Sequence, residues 1–189
     1  MRTLRQSARI NGLDLGRLYG TVDAFRSDPA LARFVFRAQN RWLDGPRTQS
    51  RILPLYGAGG AQRAAGESFL LDSDSAPVLF GEDRAASALE YLLHALAACL
   101  TTTLVAQAAA RGVGVDAVET SVEAELDVAG VLSIEAQEKD ALLRIDARMV
   151  VRSEAEATLL DEAFQATRRC SPVLRAMAAP VHLELVIRS

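Results

Sequence analysis

A long apolar stretch near the middle of the chain constrains the fold more than any other feature. It runs from Ser87 to Gly112 and reads SALEYLLHALAACLTTTLVAQAAARG. The pattern predicts one helix that is apolar on nearly all sides, and such a helix lies inside a protein core or a membrane. Ser87 and Glu90 form an S-x-x-E capping box at its start. Gly112, just after Arg111, is a typical C-terminal cap.

The predicted helix is about as long as a membrane span requires. It carries polar side chains, however, and amphipathic strands that need a core lie on either side of it. The polar residues are His94, Thr101, Thr102, Thr103 and Gln107. We therefore expect a core helix and no membrane partner. The N-terminal residues contain no apolar run typical of a signal peptide, so we expect a cytoplasmic location.

Charge and length restrict the class of protein. The 189 residues include 21 basic and 24 acidic side chains, for a formal net charge of −3. This balance, without a basic cluster, argues against a nucleic-acid partner. We expect a helical N-terminal extension over residues 1–30 and a single domain over residues 31–189.

Strand patterns follow the central helix and indicate the α+β class. Residues 118–128 and 143–151 alternate apolar and polar side chains, which predicts two antiparallel neighbours, and residues 181–187 predict a closing strand. A second helix is expected from Ser153 to Arg169, opened by S-x-x-E at Ser153 and Glu156. Less marked patterns predict an early helix at residues 14–25 and strands around residues 34–42, 51–56 and 68–72, with a turn at Asp44-Gly45-Pro46.

Cys99, near the middle of the central helix, has two interpretations. A free cysteine in an apolar helix is usually a small packing residue. A reactive thiolate would need a cationic or donating neighbour. The helix dipole supplies little, because its effect fades within one turn. An arginine distant in sequence is the best candidate. Cys170, in the segment Arg168-Arg169-Cys170-Ser171-Pro172, is either favoured as thiolate by the arginines or has no role.

The other ionisable residues near Cys99 leave similar alternatives. Glu90 either caps the helix or orients an arginine that faces Cys99. The two residues lie about 13 Å apart along the axis, so a link needs a third residue. His94 is five residues before Cys99 and diverges from it by about 140°, which favours a packing or interface role. His182 is expected on the solvent face of the last strand. This spacing gives no metal site, and we expect no cofactor.

The segment from Ser87 to Thr103 resembles the central helix of the OsmC/Ohr family of osmotically inducible and organic-hydroperoxide-resistance proteins. In that family a P-x-E-x-L-L-x-A-L-x-x-C helix carries the reactive cysteine, and Ala88 stands here where the proline would be. Ser171-Pro172-Val173 resembles the family's second motif, C-P-V, with serine in place of cysteine. The resemblance covers roughly residues 33–188 and is to a larger, OsmC-like branch.

The resemblance implies an OsmC-like α+β fold: antiparallel sheets wrapped around a long buried central helix in an intertwined homodimer. It also implies an antioxidant, thiol-dependent peroxidase of the oxidative stress response. Cys99 would attack an organic hydroperoxide and become a sulfenic acid. Cys170 would resolve it to a disulfide, and a dithiol reductant, lipoyl-type or another thiol, would reduce that disulfide. Apolar surroundings favour alkyl or fatty-acid peroxides.

By the same resemblance, an early arginine held by Glu90 would face Cys99. Arg47 is our first choice, and Arg41, Arg63 and Arg84 remain open. Two rival hypotheses remain. In one, the protein is a non-catalytic OsmC-like protein that binds a small apolar ligand in the dimer cavity. In the other, it is a one-cysteine peroxidase that uses an outside thiol. Ser171, where the family has cysteine, supports the first rival.

Overall fold

The computed structural model describes residues 9–64, 66–132, 142–179 and 181. The chain divides into two compact units, Met1–Leu92 and Leu93–Ser189. Each unit combines helices with antiparallel strands, which is the α+β class expected. The central helix begins in the first unit and continues into the second.

The first unit contains a three-stranded antiparallel sheet and two short strand pairs. Its elements in chain order are β1 (Arg9–Ile10), β2 (Leu13–Asp14), α1 (Leu15–Ser27), β3 (Ala38–Asp44), β4 (Arg47–Ile52), β5 (Tyr56–Gly57), β6 (Gly60–Ala61) and β7 (Phe69–Ser73). The sheet order is β3-β4-β7, and β1 pairs with β2 as β5 pairs with β6. Single 3₁₀ turns span Pro29–Ala32 and Pro77–Leu79.

The early helix predicted at residues 14–25 is confirmed as α1. Asp14 is its N-cap, and the Asp14 carboxylate accepts the backbone N–H of Arg17 at 3.0 Å. The helix ends at Ser27 with Asp28 as its C-cap, because Asp28 precedes Pro29 and avoids helical angles. None of its residues is buried, in keeping with its weak apolar face.

The first long strand begins later than its sequence indicates. Phe34 and Phe36 were expected in it, but β3 begins at Ala38, and Val35 makes only an isolated bridge to Tyr56. The predicted turn after the strand is confirmed: Gly45 has φ +49°, a conformation that glycine adopts without strain.

Three side chains tie the sheet together across its strands. Arg41 Nη2 donates to Gln49 Oε1 at 2.8 Å, and Gln49 Nε2 donates to Asp72 Oδ1 at 2.9 Å. The three residues are direct neighbours in register on β3, β4 and β7. The Tyr91 hydroxyl donates to the Asp72 carbonyl at 2.8 Å, so the start of the central helix is attached to β7.

A buried carboxylate organises the loop between β7 and the central helix. Asp74 is only 2% exposed, and its oxygens accept the backbone N–H groups of Ser75, Glu82 and Arg84 at 2.8, 3.2 and 3.1 Å. The loop folds so tightly that a Cβ at Gly81 would clash with the Ser75 carbonyl. The Asp74 carboxylate therefore holds the backbone of this loop together through three hydrogen bonds.

The central helix, α2 (Ala88–Ala110), begins and ends where the sequence predicts. The capping box is confirmed: the Glu90 carboxylate accepts the Ser87 N–H at 2.7 Å, and the Ser87 hydroxyl accepts the Glu90 N–H at 3.3 Å. The buried residues of α2 include a row at four-residue spacing, which lies on one face: Leu96, Leu100, Leu104 and Ala108.

The C-terminal end of α2 is a Schellman motif. Gly112 has φ +76°, and its N–H donates to the Ala109 carbonyl at 3.0 Å. The Val113 N–H donates to the Ala108 carbonyl at 2.9 Å, and both side chains belong to the core. The predicted left-handed glycine cap is thereby confirmed.

The second unit continues with a long hairpin and two helices. Its elements after α2 are β8 (Ala117–Leu126), α3 (Val128–Val131), β9 (Leu142–Arg152), α4 (Ala157–Cys170) and α5 (Pro172–Ala176). Strands β8 and β9 are antiparallel neighbours, as predicted. Opposite charges face each other only in part, since Glu125 lies opposite Arg144 but Glu123 lies opposite Asp146.

The core of the second unit lies where α2, the hairpin and α4 meet. Its buried members are Leu104, Ala108, Val113 and Ala163. Partly buried side chains from the hairpin, from α4 and from the loops before β8 and α4 pack against them: Val115, Val118, Met149, Val151, Ala155 and Leu160. The apolar face of α2 is thus covered by the alternating face of the hairpin.

One predicted helix start is wrong. The second S-x-x-E pattern, at Ser153 and Glu156, does not cap a helix from Ser153. Helix α4 begins at Ala157, and its N-cap Glu156 makes no side-chain cap bond. The Ser153 hydroxyl instead donates to the Gly114 carbonyl at 2.6 Å, which attaches the end of β9 to the loop after α2. The predicted closing strand at residues 181–187, and His182 with it, lies outside the described residues apart from Val181.

The buried Asp74 carboxylate predicts a dependence of stability on pH. Burial raises its pKa, but the three N–H donors and the nearby Arg47 charge outweigh burial and hold the pKa of Asp74 below its usual 3.8. A carboxyl with a lowered folded-state pKa stabilises the fold above its unfolded pKa, and this contribution is lost as the pH falls through the folded value. We expect Asp74→Asn to destabilise the protein at neutral pH, and the difference from the parent to shrink below pH 3.8.

Urea denaturation at a series of pH values measures this effect. Asp23→Asn, which changes an exposed side chain of α1, is the control and is expected to alter stability by less than about 0.5 kcal/mol. A difference between Asp74→Asn and the parent that stays constant into the acid range would show that ionised Asp74 does not support the loop.

Candidate functional site

Cys99 lies on α2 with a buried hydroxyl beside its sulfur. The Cys99 Sγ is 3.2 Å from Ser171 Oγ and 4.0 Å from Thr103 Oγ1. Cys99 itself is partly exposed, whereas Ser171 has no exposed surface. A half-buried thiol with two hydroxyl neighbours can accept hydrogen bonds in its thiolate form, because both hydroxyls can donate.

Ser171 reaches Cys99 because of the break between α4 and α5. Its N–H donates to the Thr167 carbonyl at 2.9 Å and its carbonyl accepts the Arg175 N–H at 3.1 Å, so its backbone joins the two helices. It is the N-cap of α5, and Pro172 occupies the first helical position, where proline is favoured. Its side chain makes no cap bond, which leaves the hydroxyl available to Cys99.

Cys170 differs from Ser171 in its surroundings. It is the last residue of α4 and is exposed, and both cysteines are free thiols. Successive residues at a helix end diverge by about 100°, so adjacent side chains occupy different environments. The residue in contact with Cys99 is therefore the serine, and a resolving role for Cys170 stays a prediction.

Glu90 is engaged at the start of α2. Its hydrogen bonds with Ser87 lower its pKa, because they stabilise the ionised carboxylate more than partial burial disfavours it. These bonds match the capping interpretation of Glu90. Its second proposed task, to orient an arginine beside Cys99, stays a prediction.

The four arginines considered for Cys99 all lie in the first unit, and three of them have assigned partners. Arg41 donates to Gln49, and Arg84 forms an ion pair with Glu82. Arg47, at the start of β4, contributes its charge to Asp74.

Arg63 is different. Its guanidinium carbon lies 4.7 Å from the centre of the Phe69 ring. Its Nη1 is buried and has no hydrogen-bond partner among the described residues. A buried donor left without an acceptor is costly, so Arg63 retains a capacity to bind an acceptor that comes close.

The remaining ionisable residues give no second site in the described part of the chain. His94 is exposed on α2. Within residues 9–64, 66–132, 142–179 and 181, no group of three or more His, Cys, Asp or Glu side chains is placed to hold a metal ion.

Two features of the site region do not follow from the sequence. The sequence places Ser171 before Pro172 but does not predict its contact with Cys99. It also does not predict the buried Asp74, for which it has no distinctive motif.

Comparison with known proteins decides the family. A family model described as OsmC-like protein matches residues 81–186, which is more than half of the chain. The chain belongs to the OsmC-like family. The match includes both the α2 segment with Cys99 and the Ser171-Pro172-Val173 segment. None of the curated proteins matches this OsmC-like chain in sequence.

Solved structures agree with the fold. An OsmC-like protein from Mycoplasma pneumoniae is 14% identical and has a TM-score of 0.56, over 76% of this chain and 86% of that chain. An organic hydroperoxide resistance protein OsmC from Legionella pneumophila is also 14% identical, with a TM-score of 0.52 over 76% of this chain and 89% of that one. At these identities the likeness extends to the fold alone.

The family fold also bears on the apolar helix. By length and composition alone, α2 could cross a membrane, and 28% of its most apolar window is buried. In the second unit, however, Leu104 and Ala108 of this helix pack against the hairpin and α4. Helix α2 is therefore a core helix of an OsmC-like domain.

Proposed function

We propose that this OsmC-like chain is a thiol-dependent peroxidase that reduces organic hydroperoxides through Cys99. The contact between Cys99 Sγ and the buried Ser171 hydroxyl, at 3.2 Å, carries the proposal. A cysteine that only fills space needs no polar partner, whereas a thiolate is stabilised by a donor in a site sheltered from water. The family match, which includes both segments, supports the same function.

The chemistry requires little more than the thiolate and a proton source. The Cys99 thiolate attacks the terminal peroxide oxygen, an S–O bond forms and the O–O bond breaks. The departing alkoxide takes a proton and leaves as an alcohol, and Cys99 becomes a sulfenic acid. The neighbours of Cys99 along α2 are mostly apolar, including the buried Leu96 and Leu100. They favour alkyl and fatty-acid peroxides over hydrogen peroxide.

Replacement of Cys99 tests the proposal. We expect Cys99→Ser to reduce the consumption of cumene hydroperoxide to the rate without protein, since serine is a poor nucleophile at neutral pH. Cys170→Ser, the matched control, is expected to leave the first oxidation unchanged. The measurement is a single turnover at stoichiometric peroxide without added reductant, repeated with hydrogen peroxide, which should react more slowly.

Consumption by Cys99→Ser at the parent's rate would end the proposal. The alternative, a non-catalytic protein that binds a small apolar ligand, would then gain support. Native mass spectrometry would show such a ligand as a co-purified adduct.

A cation beside Cys99 is the second part of the proposal, because a cationic neighbour favours the thiolate form of a cysteine. By the family resemblance Arg47 is the first choice. Its charge acts on Asp74, however, whereas Arg63 has a buried Nη1 in need of an acceptor. We expect Arg63→Ala to slow the oxidation of Cys99 markedly. Arg41→Ala, the matched control whose partner is Gln49, should leave the rate near that of the parent.

The same single-turnover assay measures these variants, with circular dichroism to verify the fold. Arg47→Ala is the third variant, and a rate loss confined to it would contradict the assignment of Arg63 and return the role to Arg47. Rates equal to that of the parent in Arg63→Ala, Arg41→Ala and Arg47→Ala would remove the arginine from the proposal.

A homodimer is the assembly we propose. Large apolar side chains of the first unit are each at least 60% exposed, which a soluble monomer seldom tolerates in such number: Phe36, Trp42, Phe69, Val78 and Phe80. Light scattering should give twice the 20.3 kDa chain mass. A monomer at micromolar concentration would exclude this assembly.

A further inference from the structure

The side chain of Ser171 is in an unusual position for an N-cap serine. Such a serine usually accepts an N–H from the first turn of its helix. Here the first turn of α5 receives no such bond. Ser171 is fully buried, and its hydroxyl lies 3.2 Å from the Cys99 sulfur. The hydroxyl therefore contacts Cys99 and does not cap α5.

The nearby thiol is placed differently. Cys170 is exposed at the end of α4, next to Arg168 and Arg169, while the adjacent Ser171 is completely buried. A disulfide needs sulfur atoms about 2.05 Å apart and Cβ atoms about 3.8 Å apart. Position 171, not position 170, has the side chain already in contact with Cys99 Sγ.

From this arrangement we propose that Ser171 holds the Cys99 thiolate and its sulfenic acid in place of a resolving cysteine, and that a thiol from solution is the second substrate. The inference rests on the proposed peroxidase function. It adds a residue in contact with the reacting sulfur, and it names the chemical class of the reductant.

The reaction balances with two external thiol groups. After the peroxide step, Cys99 is a sulfenic acid, and the Ser171 hydroxyl cannot form a disulfide with it. An external thiolate attacks the Cys99 sulfur, an S–S bond forms, and the sulfenic oxygen leaves with two protons as water. A second thiol attacks the mixed disulfide, so Cys99 returns to its thiolate. The two external thiols have then given up two electrons and leave as their disulfide, and Cys99 has been reduced by those two electrons.

A shift of the thiol by one residue tests the assignment. We compare the parent, Cys170→Ser, and the double variant Cys170→Ser with Ser171→Cys after one equivalent of cumene hydroperoxide, by intact-mass analysis with dimedone present. The parent and Cys170→Ser should each carry one dimedone adduct on Cys99. The double variant should instead lose two hydrogens, because a cysteine at position 171 lies against Cys99.

The outcomes separate this inference from the proposed function. Loss of two hydrogens in the parent would identify Cys170 as the resolving cysteine and overturn the inference, while the peroxidase function would stand. An absence of any change at Cys99 in all three proteins would overturn the function itself. Should the double variant fold poorly, equal adduct yield and equal thiol-supported turnover in the parent and Cys170→Ser still support the inference.

Two further measurements address the hydroxyl and the reductant. Ser171→Ala should slow the oxidation of Cys99, and Ser121→Ala, which removes an exposed serine hydroxyl from β8, should not. An unchanged rate in Ser171→Ala would remove Ser171 from the mechanism.

Dithiothreitol and glutathione are the probes for the reductant. Faster turnover with dithiothreitol would assign the second substrate to dithiols. Faster turnover with glutathione would assign it to monothiols.

Discussion

The burial of one face of α2 is the constraint on which the second unit depends. Leu104 and Ala108 occupy the centre of the core, and the alternating residues of the hairpin cover them. Because burial of apolar area is the main stabilising contribution, the helix, hairpin and α4 must meet along this face. Thr101 extends the contact, since its hydroxyl lies 2.7 Å from that of Thr120 on β8. These contacts hold the part of α2 that follows Cys99 against the hairpin and α4.

Local hydrogen bonds at both ends of α2 determine the residues at which the helix begins and ends. The capping box at Ser87 and Glu90 fixes the start, and the Schellman motif at Gly112 fixes the end. Asp74 holds the loop that leads into the start, and Tyr91 attaches the first turn to β7. A shift of either helix limit by one residue would break the bonds at that end, so the limits of α2 are set locally.

Local patterns predicted the elements, and distant contacts decided what the patterns could not. The limits of α2 and the β8–β9 pair followed from capping residues and alternation, because these signals lie within the elements themselves. The start of α4 was mispredicted, because the Ser153 hydroxyl bonds Gly114, 39 residues away. The contact between Cys99 and Ser171 spans 72 residues, so only the fold could reveal it.

The proline after Ser171 explains why a neighbouring cysteine does not simply replace the serine. Pro172 must stand at the first position of α5, and the residue before a proline avoids helical angles. Ser171 accordingly has φ −61° and ψ +114°, outside the helical region. To bring Cys170 to the same place, the last residue of α4 would have to unwind, and the bond from Ser171 N–H to Thr167 would break. The side chain that meets the Cys99 sulfur is therefore that of the residue before the proline, and here it offers a hydroxyl and no second sulfur.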